Sequence, residues 1–165
     1  IVMGLNKVWT ADITYIRLAN GTTVYLSVVM DRFSRKLLGW QLSYNIDTQL
    51  CLDALQMAFK ERSGADLSDL IHHSDQGVQY ASKEYTAELE KRGIKISMSA
   101  KGNPYDNAHM ESAIKTIKYE EVYMDEYQSF SDAYNNIKNF IDEVFNKKRL
   151  LSSIGYKPRT EFEQE

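Results

Sequence analysis

The sequence predicts an α/β protein: a mixed five-stranded sheet with helices on both faces. Segments with the two-residue period of strands and segments with the period of helices follow one another along the chain, in the order three strands, helix, strand, helix, strand and two helices. The 165 residues, 43% of them hydrophobic, are enough for one domain with its own core. We therefore expect a single domain over residues 1–165, in which residues 146–165 form a C-terminal tail.

The first three strands are predicted to be consecutive and antiparallel. Trp9 to Ile16 alternates around β-branched and aromatic residues. Asn20-Gly21 is a hairpin signal that leads into the apolar run Val24 to Met30. A polar turn then precedes the third run, Lys36 to Leu42. In that turn Asp31 is expected to make structural hydrogen bonds rather than to bind a metal.

The remaining elements alternate between helices and strands. Apolar residues at helical spacing follow Asp47 and Thr48, which are candidate caps, and Ser82 is the candidate cap of a second helix. The predicted elements are a helix ending near Ser63-Gly64, a strand at Leu70 to His72, a helix from Ser82 to Gly93, a strand at Ile94 to Met98, and helices at about 106–120 and 131–145. This succession is that of the ribonuclease H-like fold.

Three carboxylates, Asp12, Asp75 and Glu111, are candidates for a common metal site. Asp12 lies within the first predicted strand, Asp75 follows the fourth, and Glu111 lies on a helix, separated from Asp75 by thirty-five residues. The middle of one strand and the end of a parallel neighbour can lie side by side, and a helix packed across that edge can add Glu111. Oxygen-only ligands suit Mg²⁺ or Mn²⁺. The arrangement predicts metal-assisted phosphoryl transfer.

The residues around the three acids resemble a known family. The motifs are Trp9-Thr10-Ala11-Asp12-Ile13-Thr14-Tyr15, His73-Ser74-Asp75-Gln76-Gly77-Val78-Gln79-Tyr80, and Gly102-Asn103-Pro104-Tyr105-Asp106-Asn107-Ala108 leading to Glu111-Ser112. They closely resemble the catalytic core of DDE transposases of the IS3 insertion-sequence family, relatives of retroviral integrases. The resemblance runs over nearly the whole chain. It implies DNA strand cleavage and 3′-hydroxyl strand transfer, with two Mg²⁺ or Mn²⁺ ions per active site when DNA is bound.

The resemblance also implies contacts to DNA. A basic residue seven positions after the glutamate contacts the DNA end in the family, which corresponds to Lys118, and Lys115 matches a position that is basic in the retroviral relatives. Asn107 is a further candidate, and Lys101 begins a loop expected to act as a lid or to contact DNA. Taken alone, Glu111 and Lys115 are also an ordinary i,i+4 pair on a solvated helix face, worth a few tenths of a kcal/mol.

The net charge of −3 does not favour tight DNA binding by this chain alone. The resemblance implies that the partners are DNA, at the element ends and at the target, and further copies of the chain in a homo-oligomer on DNA. It also implies an upstream helix-turn-helix region, which we expect to be absent from this chain. No apolar stretch has bilayer length, and the single cysteine, Cys51, suits a core position in a reducing cytoplasm. We expect a bacterial, nucleoid-associated protein.

One motif departs from the family. The closing motif of the relatives is asparagine, two variable residues, arginine, one variable residue and histidine, whereas Asn146-Lys147-Lys148-Arg149-Leu150 is followed here by Leu151. Two alternatives therefore stay open: a metal-dependent nuclease or resolvase of the same fold, and a degenerate copy that serves as a DNA-assembly module. The adjacent His72 and His73 point to opposite faces of a strand, so packing or an orienting hydrogen bond is expected of them rather than metal binding.

Overall fold

The fold is built on a mixed five-stranded sheet in the order β3-β2-β1-β4-β5. The structure, a computed structural model, describes residues 2–99 and 107–165. Strands β1, β2 and β3 are antiparallel neighbours, and β4 and β5 extend the sheet parallel to β1. The strands are β1 (Val8–Arg17), β2 (Thr23–Asp31), β3 (Leu37–Ser43), β4 (Ile71–Ser74) and β5 (Lys95–Met98). The fold class predicted from the sequence is confirmed.

Helices cover both faces of this sheet. The helices are α1 (Thr48–Glu61), α2 (Val78–Ala81), α3 (Lys83–Lys91), α4 (Ala108–Glu120), α5 (Phe130–Asn139) and α6 (Arg159–Glu163). Successive β2 residues separate the two cores: Val28 packs with α4 and α5, whereas Val29 packs with α1 and α3. Because side chains alternate across a strand, burying every residue from Val28 to Met30 requires helices on both sides.

Helix α1 approaches β3 closely at Gly39. A Cβ atom on Gly39 would lie 2.1 Å from the carbonyl oxygen of Ala54, a distance that no real side chain tolerates. The absence of a side chain therefore lets the helix backbone rest directly on the strand. Asp47 caps α1 by accepting a hydrogen bond from Leu50 N–H at 2.9 Å, which settles the choice between the two candidate caps.

Several elements differ from the sequence prediction at their ends. The strand expected at Leu70 to His72 runs from Ile71 to Ser74. The helix expected over 131–145 is α5 followed by a π-helical turn, Phe140–Phe145, that the apolar spacing does not distinguish from α-helix. Helix α2 and a 3₁₀ turn at Val122–Met124 were not predicted.

The tail expected at residues 146–165 folds back onto the domain. It contains two short paired strands, β6 (Leu150–Leu151) and β7 (Lys157–Pro158), and helix α6. The buried Asn146 side chain accepts from Leu37 N–H and donates to the Leu37 carbonyl, both at 3.0 Å. Glu163 pairs with Arg62 at the end of α1 at 2.6 Å. The tail is thereby fixed to β3 and α1.

No helix within residues 2–99 and 107–165 is long and apolar enough to cross a membrane.

Candidate active site

Asp12 lies on the central strand of the sheet, at the floor of an open cleft of about 370 Å³. The cleft is lined by Asp12, Ile13, Thr14, Glu111, Ile114, Lys115, Lys118, Tyr119 and Tyr123. The Asp12 carboxylate accepts a hydrogen bond from Ile13 N–H at 2.8 Å. Two of the three predicted acids and both predicted lysines of α4 therefore share one cleft.

Asp75 comes next to Asp12 through the register of the parallel strands. The pairing of β1 with β4 ends at Thr10 opposite His73. Continued by two residues in each segment, the same register sets Asp12 beside Asp75. Asp75 is exposed, just past the end of β4, and its Oδ1 accepts from Gly77 N–H at 2.7 Å. Gly77 has an ordinary φ of −58°, but a Cβ there would lie 2.8 Å from Asp75 Oδ1, so a larger residue would require the Asp75 carboxylate to move.

Helix α4 presents Glu111 to the same edge. Met110 and Ile117 are buried and Ile114 is partly buried. Glu111, Lys115 and Lys118 therefore occupy the face turned to the cleft. Glu111 is exposed at the start of the helix, where its N–H donates to the Asn107 carbonyl at 3.0 Å.

The charges of the three acids act on one another. Burial raises the pKa of Asp12 to about 6, and repulsion from Asp75 and Glu111 adds to this effect against the lowering by the Ile13 hydrogen bond. Like charges this close favour a bound cation or proton, and an all-oxygen donor set fits a hard divalent ion.

The side chains do not form a closed ligand set in this conformation. Within residues 2–99 and 107–165 no group of three or more His, Cys, Asp or Glu is placed to hold a metal ion. Asp12 and Asp75 each direct an oxygen to a neighbouring backbone N–H, at 2.8 and 2.7 Å. The strands and the helix thus bring the three acids to one edge of the sheet, but the acid side chains do not point to a common ligand position.

Lys118 is held in place by an aromatic ring. Its ammonium lies 4.5 Å from the centre of the Tyr15 ring, and partial burial lowers the pKa of Lys118. Tyr119 and Tyr123 meet edge to face at 5.4 Å beside it. Tyr119 and Tyr123 line the cleft, and they and Tyr15 are all more than half exposed, although the sequence predicted no role for any of the three. For Tyr119 and Tyr123 the signal in the sequence is their spacing of four residues from Lys115 and from each other, about one helical turn each.

The other residues predicted to contact DNA are Asn107 and Lys101, and the structure describes only the first of them. Asn107 occupies the N-cap position of α4, but its side chain makes no capping hydrogen bond. Its Oδ1 is buried and has no hydrogen-bond partner among the described residues. Lys101, the loop at 101–105 and Asp106 lie outside the described residues.

The histidines and Asp31 take structural positions. His72 Nε2 lies 2.7 Å from the Tyr85 hydroxyl in the core, whereas His73 Nδ1 lies 2.9 Å from Ser97 Oγ on β5. Asp31 is fully buried, accepts from the N–H groups of Asn6 and Phe33, and pairs with Arg62 at 3.3 Å. None of the three residues lines the acid cleft.

Models of known protein families match nearly the whole chain. Two models described as integrase core domain match residues 4–104 and 92–158. The chain belongs to the integrase core domain family. It is 42% identical over 160 residues to the transposase for insertion sequence element IS904 of Lactococcus lactis, and 38% identical over 160 residues to the transposase InsF for insertion sequence IS3A of Escherichia coli. The resemblance to IS3-type transposases found in the sequence is confirmed.

The alignments cover 96% and 97% of this chain but 62% and 54% of those two relatives, so the chain spans somewhat more than half their length.

Solved structures share the integrase core fold. The simian T-cell lymphotropic virus intasome, in complex with PP2A regulatory subunit B56 gamma, matches with a TM-score of 0.78 at 20% identity, over 100% of this chain and 57% of that one. The HTLV-2 integrase catalytic core domain, in complex with magnesium, matches with a TM-score of 0.68 at 16% identity, over 96% of each chain.

Proposed function

We propose that this integrase core is the catalytic domain of an insertion-sequence transposase that cleaves DNA at the element ends and joins the 3′-hydroxyl to a target phosphodiester. The observation that carries the proposal is the cleft beside β1, where Asp12 and Glu111 lie with Lys115 and Lys118, and beside which the strand register brings Asp75. Carboxylates and ammonium groups in one cleft suit a substrate that combines a metal ion with phosphate.

Asp12, Asp75 and Glu111 are the residues that would hold Mg²⁺ or Mn²⁺, two ions per site when DNA is present. When bound, these ions supply stabilisation of the attacking and leaving oxygens in an in-line displacement at phosphorus. The HTLV-2 integrase catalytic core domain among the structural neighbours is in complex with magnesium, which supports this choice of metal.

The protein's own groups bind and orient the DNA. Lys118, fixed above Tyr15, presents a cation seven residues and two helical turns from Glu111, so it meets a phosphate near the scissile one. Lys115 lies one turn from Glu111 on the same face. Asn107 at the start of α4 is a further proposed DNA contact, supported by a side-chain oxygen that has no hydrogen-bond partner among the described residues. Lys101 is proposed to contact DNA because it begins the loop that precedes the helix of Glu111 in the sequence.

We infer that the protein acts as a homo-oligomer on DNA in the bacterial cytoplasm, associated with the nucleoid. The intasome among the structural neighbours supports assembly on DNA, and the insertion-sequence relatives support a bacterial setting.

The decisive experiment uses a labelled duplex with the terminal sequence that flanks the coding region, a plasmid target and Mn²⁺. We expect joined products longer than the labelled strand, and we expect Glu111→Gln to reduce them at least roughly a hundredfold, because the acid is lost from the metal site. Glu90→Gln, at an exposed position of α3, is the matched control and should act as wild type. Shortened products without joining would indicate a hydrolytic nuclease, and an unchanged Glu111→Gln variant would indicate a non-catalytic assembly module.

A further inference from the structure

A second cleft, of about 350 Å³, lies on the side of α4 opposite the acids. Ser112 and Thr116 line it from α4, Arg35 from the turn after β2, and Arg149, Ser152 and Arg159 from the tail. None of its described lining residues is Asp or Glu, although acids outnumber Lys and Arg by 23 to 20 in the chain. The cleft therefore offers hydrogen-bond donors and positive charge in an acidic protein.

Arg159 is the buried member of this cleft, with 3% of its surface exposed. Its Nε donates to the Arg35 carbonyl at 3.0 Å, its Nη1 donates to the Phe145 carbonyl at 3.2 Å, and its guanidinium stacks 3.8 Å from the Phe145 ring centre. These partners are neutral, and within residues 2–99 and 107–165 no carboxylate forms an ion pair with Arg159. Burying a cation with no carboxylate in direct contact with it is costly, so the site favours an anion.

Arg35 adds a second cation that lacks a carboxylate partner in the described part of the chain. Its Nη1 lies 2.7 Å from His109 Nδ1, and its Nε donates to the Arg32 carbonyl at 2.9 Å. Burial, followed by repulsion from Arg35 and Arg32, lowers the pKa of His109, so that His109 is a neutral neighbour of Arg35 at pH 7. Arg149 lies at the rim, where its Nε donates to both oxygens of Glu120, at 2.8 and 3.1 Å.

We propose that this arginine cleft binds a backbone phosphate of DNA, on the flank of α4 that faces away from the acid cleft. Guanidinium groups with hydroxyl donors beside them match the geometry and charge of a phosphodiester. The assignment of the phosphate to DNA depends on the proposed function, whereas the phosphate chemistry depends only on the cleft. Helix α4 would then contact DNA on two sides, through the acid cleft that contains Glu111 and through the arginine cleft on its opposite side.

The departure from the family motif lies in this cleft. Leu151, at the position where the relatives have histidine, is one of the lining residues. Leu151→His should tighten phosphate binding at pH 6, where an imidazole is largely protonated, and change little at pH 8. Leu151→Glu places a carboxylate among the arginines and should abolish binding without removing any buried arginine.

The test measures calorimetric binding of inorganic pyrophosphate and the affinity of a labelled duplex for the full chain. Arg149→Gln removes a rim donor and should weaken both by at least roughly tenfold, the loss of one charge-assisted hydrogen bond. It should also lower the salt dependence of duplex binding by about one phosphate contact. Lys147→Gln is the control, because it removes a nearby cation that is likewise paired with a glutamate, Glu143, but lies outside the cleft.

Two results would overturn the proposal. If Arg149→Gln and Leu151→Glu bind pyrophosphate as wild type does, the cleft is not a phosphate site. If both variants lose pyrophosphate binding but keep the wild-type affinity for the duplex, the phosphate bound at this site does not belong to DNA. Glu111→Gln should bind pyrophosphate normally, so that failure of the proposed catalysis and failure of this site are separate observations.

Discussion

His72 shows how one buried side chain makes stability depend on pH. Burial lowers the pKa of His72 to about 4, so the residue stays neutral in the folded protein at pH values where the unfolded chain binds a proton. A lowered pKa of a base gives stability that is complete above the unfolded value of 6.5 and is lost as the pH falls towards 4.

We therefore expect the free energy of unfolding of the wild type to fall by about 2 kcal/mol through His72 alone between pH 7.5 and pH 5. His72→Gln is less stable at pH 7.5, because it disturbs the contact with the Tyr85 hydroxyl, but should lose less stability on acidification. Urea unfolding of both proteins at the two pH values measures the difference. Equal pH dependence in the two proteins would show that His72 does not carry this effect.

Single residues of the site differ in how far the sequence reveals them. Asp12, Asp75 and Glu111 stand in motifs, so their elements and order were predicted, and Glu111 shares its cleft with Lys118 as the helical spacing required. The role of Tyr15 beneath Lys118 was not predicted, because the contact joins a strand to a helix that lies about a hundred residues later. Spacing rules describe contacts within an element and not between elements.

The close contact between β3 and α1 is expected to contribute to the stability of the domain. Gly39→Ala should lower the free energy of unfolding by about 3 kcal/mol, because the added methyl group meets the Ala54 carbonyl oxygen and the Ala58 nitrogen of the helix backbone, neither of which can move alone. Gly4→Ala is the control, since a Cβ there has nothing within 4 Å. Thermal unfolding of the two variants compares them, and equal melting temperatures would contradict the close approach.

The elements themselves followed from the sequence where periodicity is strong. The helix over Thr48–Glu61 and the hairpin of β1 and β2 were predicted close to their observed bounds. The π-helical turn at Phe140–Phe145 was not, since a π turn depends on how three aromatic and aliphatic side chains, Phe140, Ile141 and Phe145, fit one core. The tail has too little periodicity to predict, because its order comes from long-range bonds such as that of Asn146 to Leu37.

The domain as a whole is joined by Arg62, which links four parts of the chain that are distant in sequence. Its guanidinium donates to Asn6 near the start of the chain at 2.9 Å, to the fully buried Asp31 at the end of β2 at 3.3 Å, and to Glu163 in α6 at 2.6 Å. Arg62 itself follows α1. Two largely buried carboxylates thus share one cation, so removing that cation leaves both uncompensated.

Arg62→Met should lower the free energy of unfolding by about 3 to 5 kcal/mol and loosen α6, because Glu163 loses its main partner while Asp31 stays buried. Lys7→Met is the matched control: it removes an exposed pair with Asp69, of which both side chains are more than half exposed, and should cost less than about 1 kcal/mol. Urea unfolding measures both values, and hydrogen exchange of the α6 amides reports the tail separately. An Arg62→Met variant with wild-type stability and protected α6 amides would mean that the tail is fixed by its other contacts, such as the packing of Phe162 on Phe33 and the bonds of Asn146.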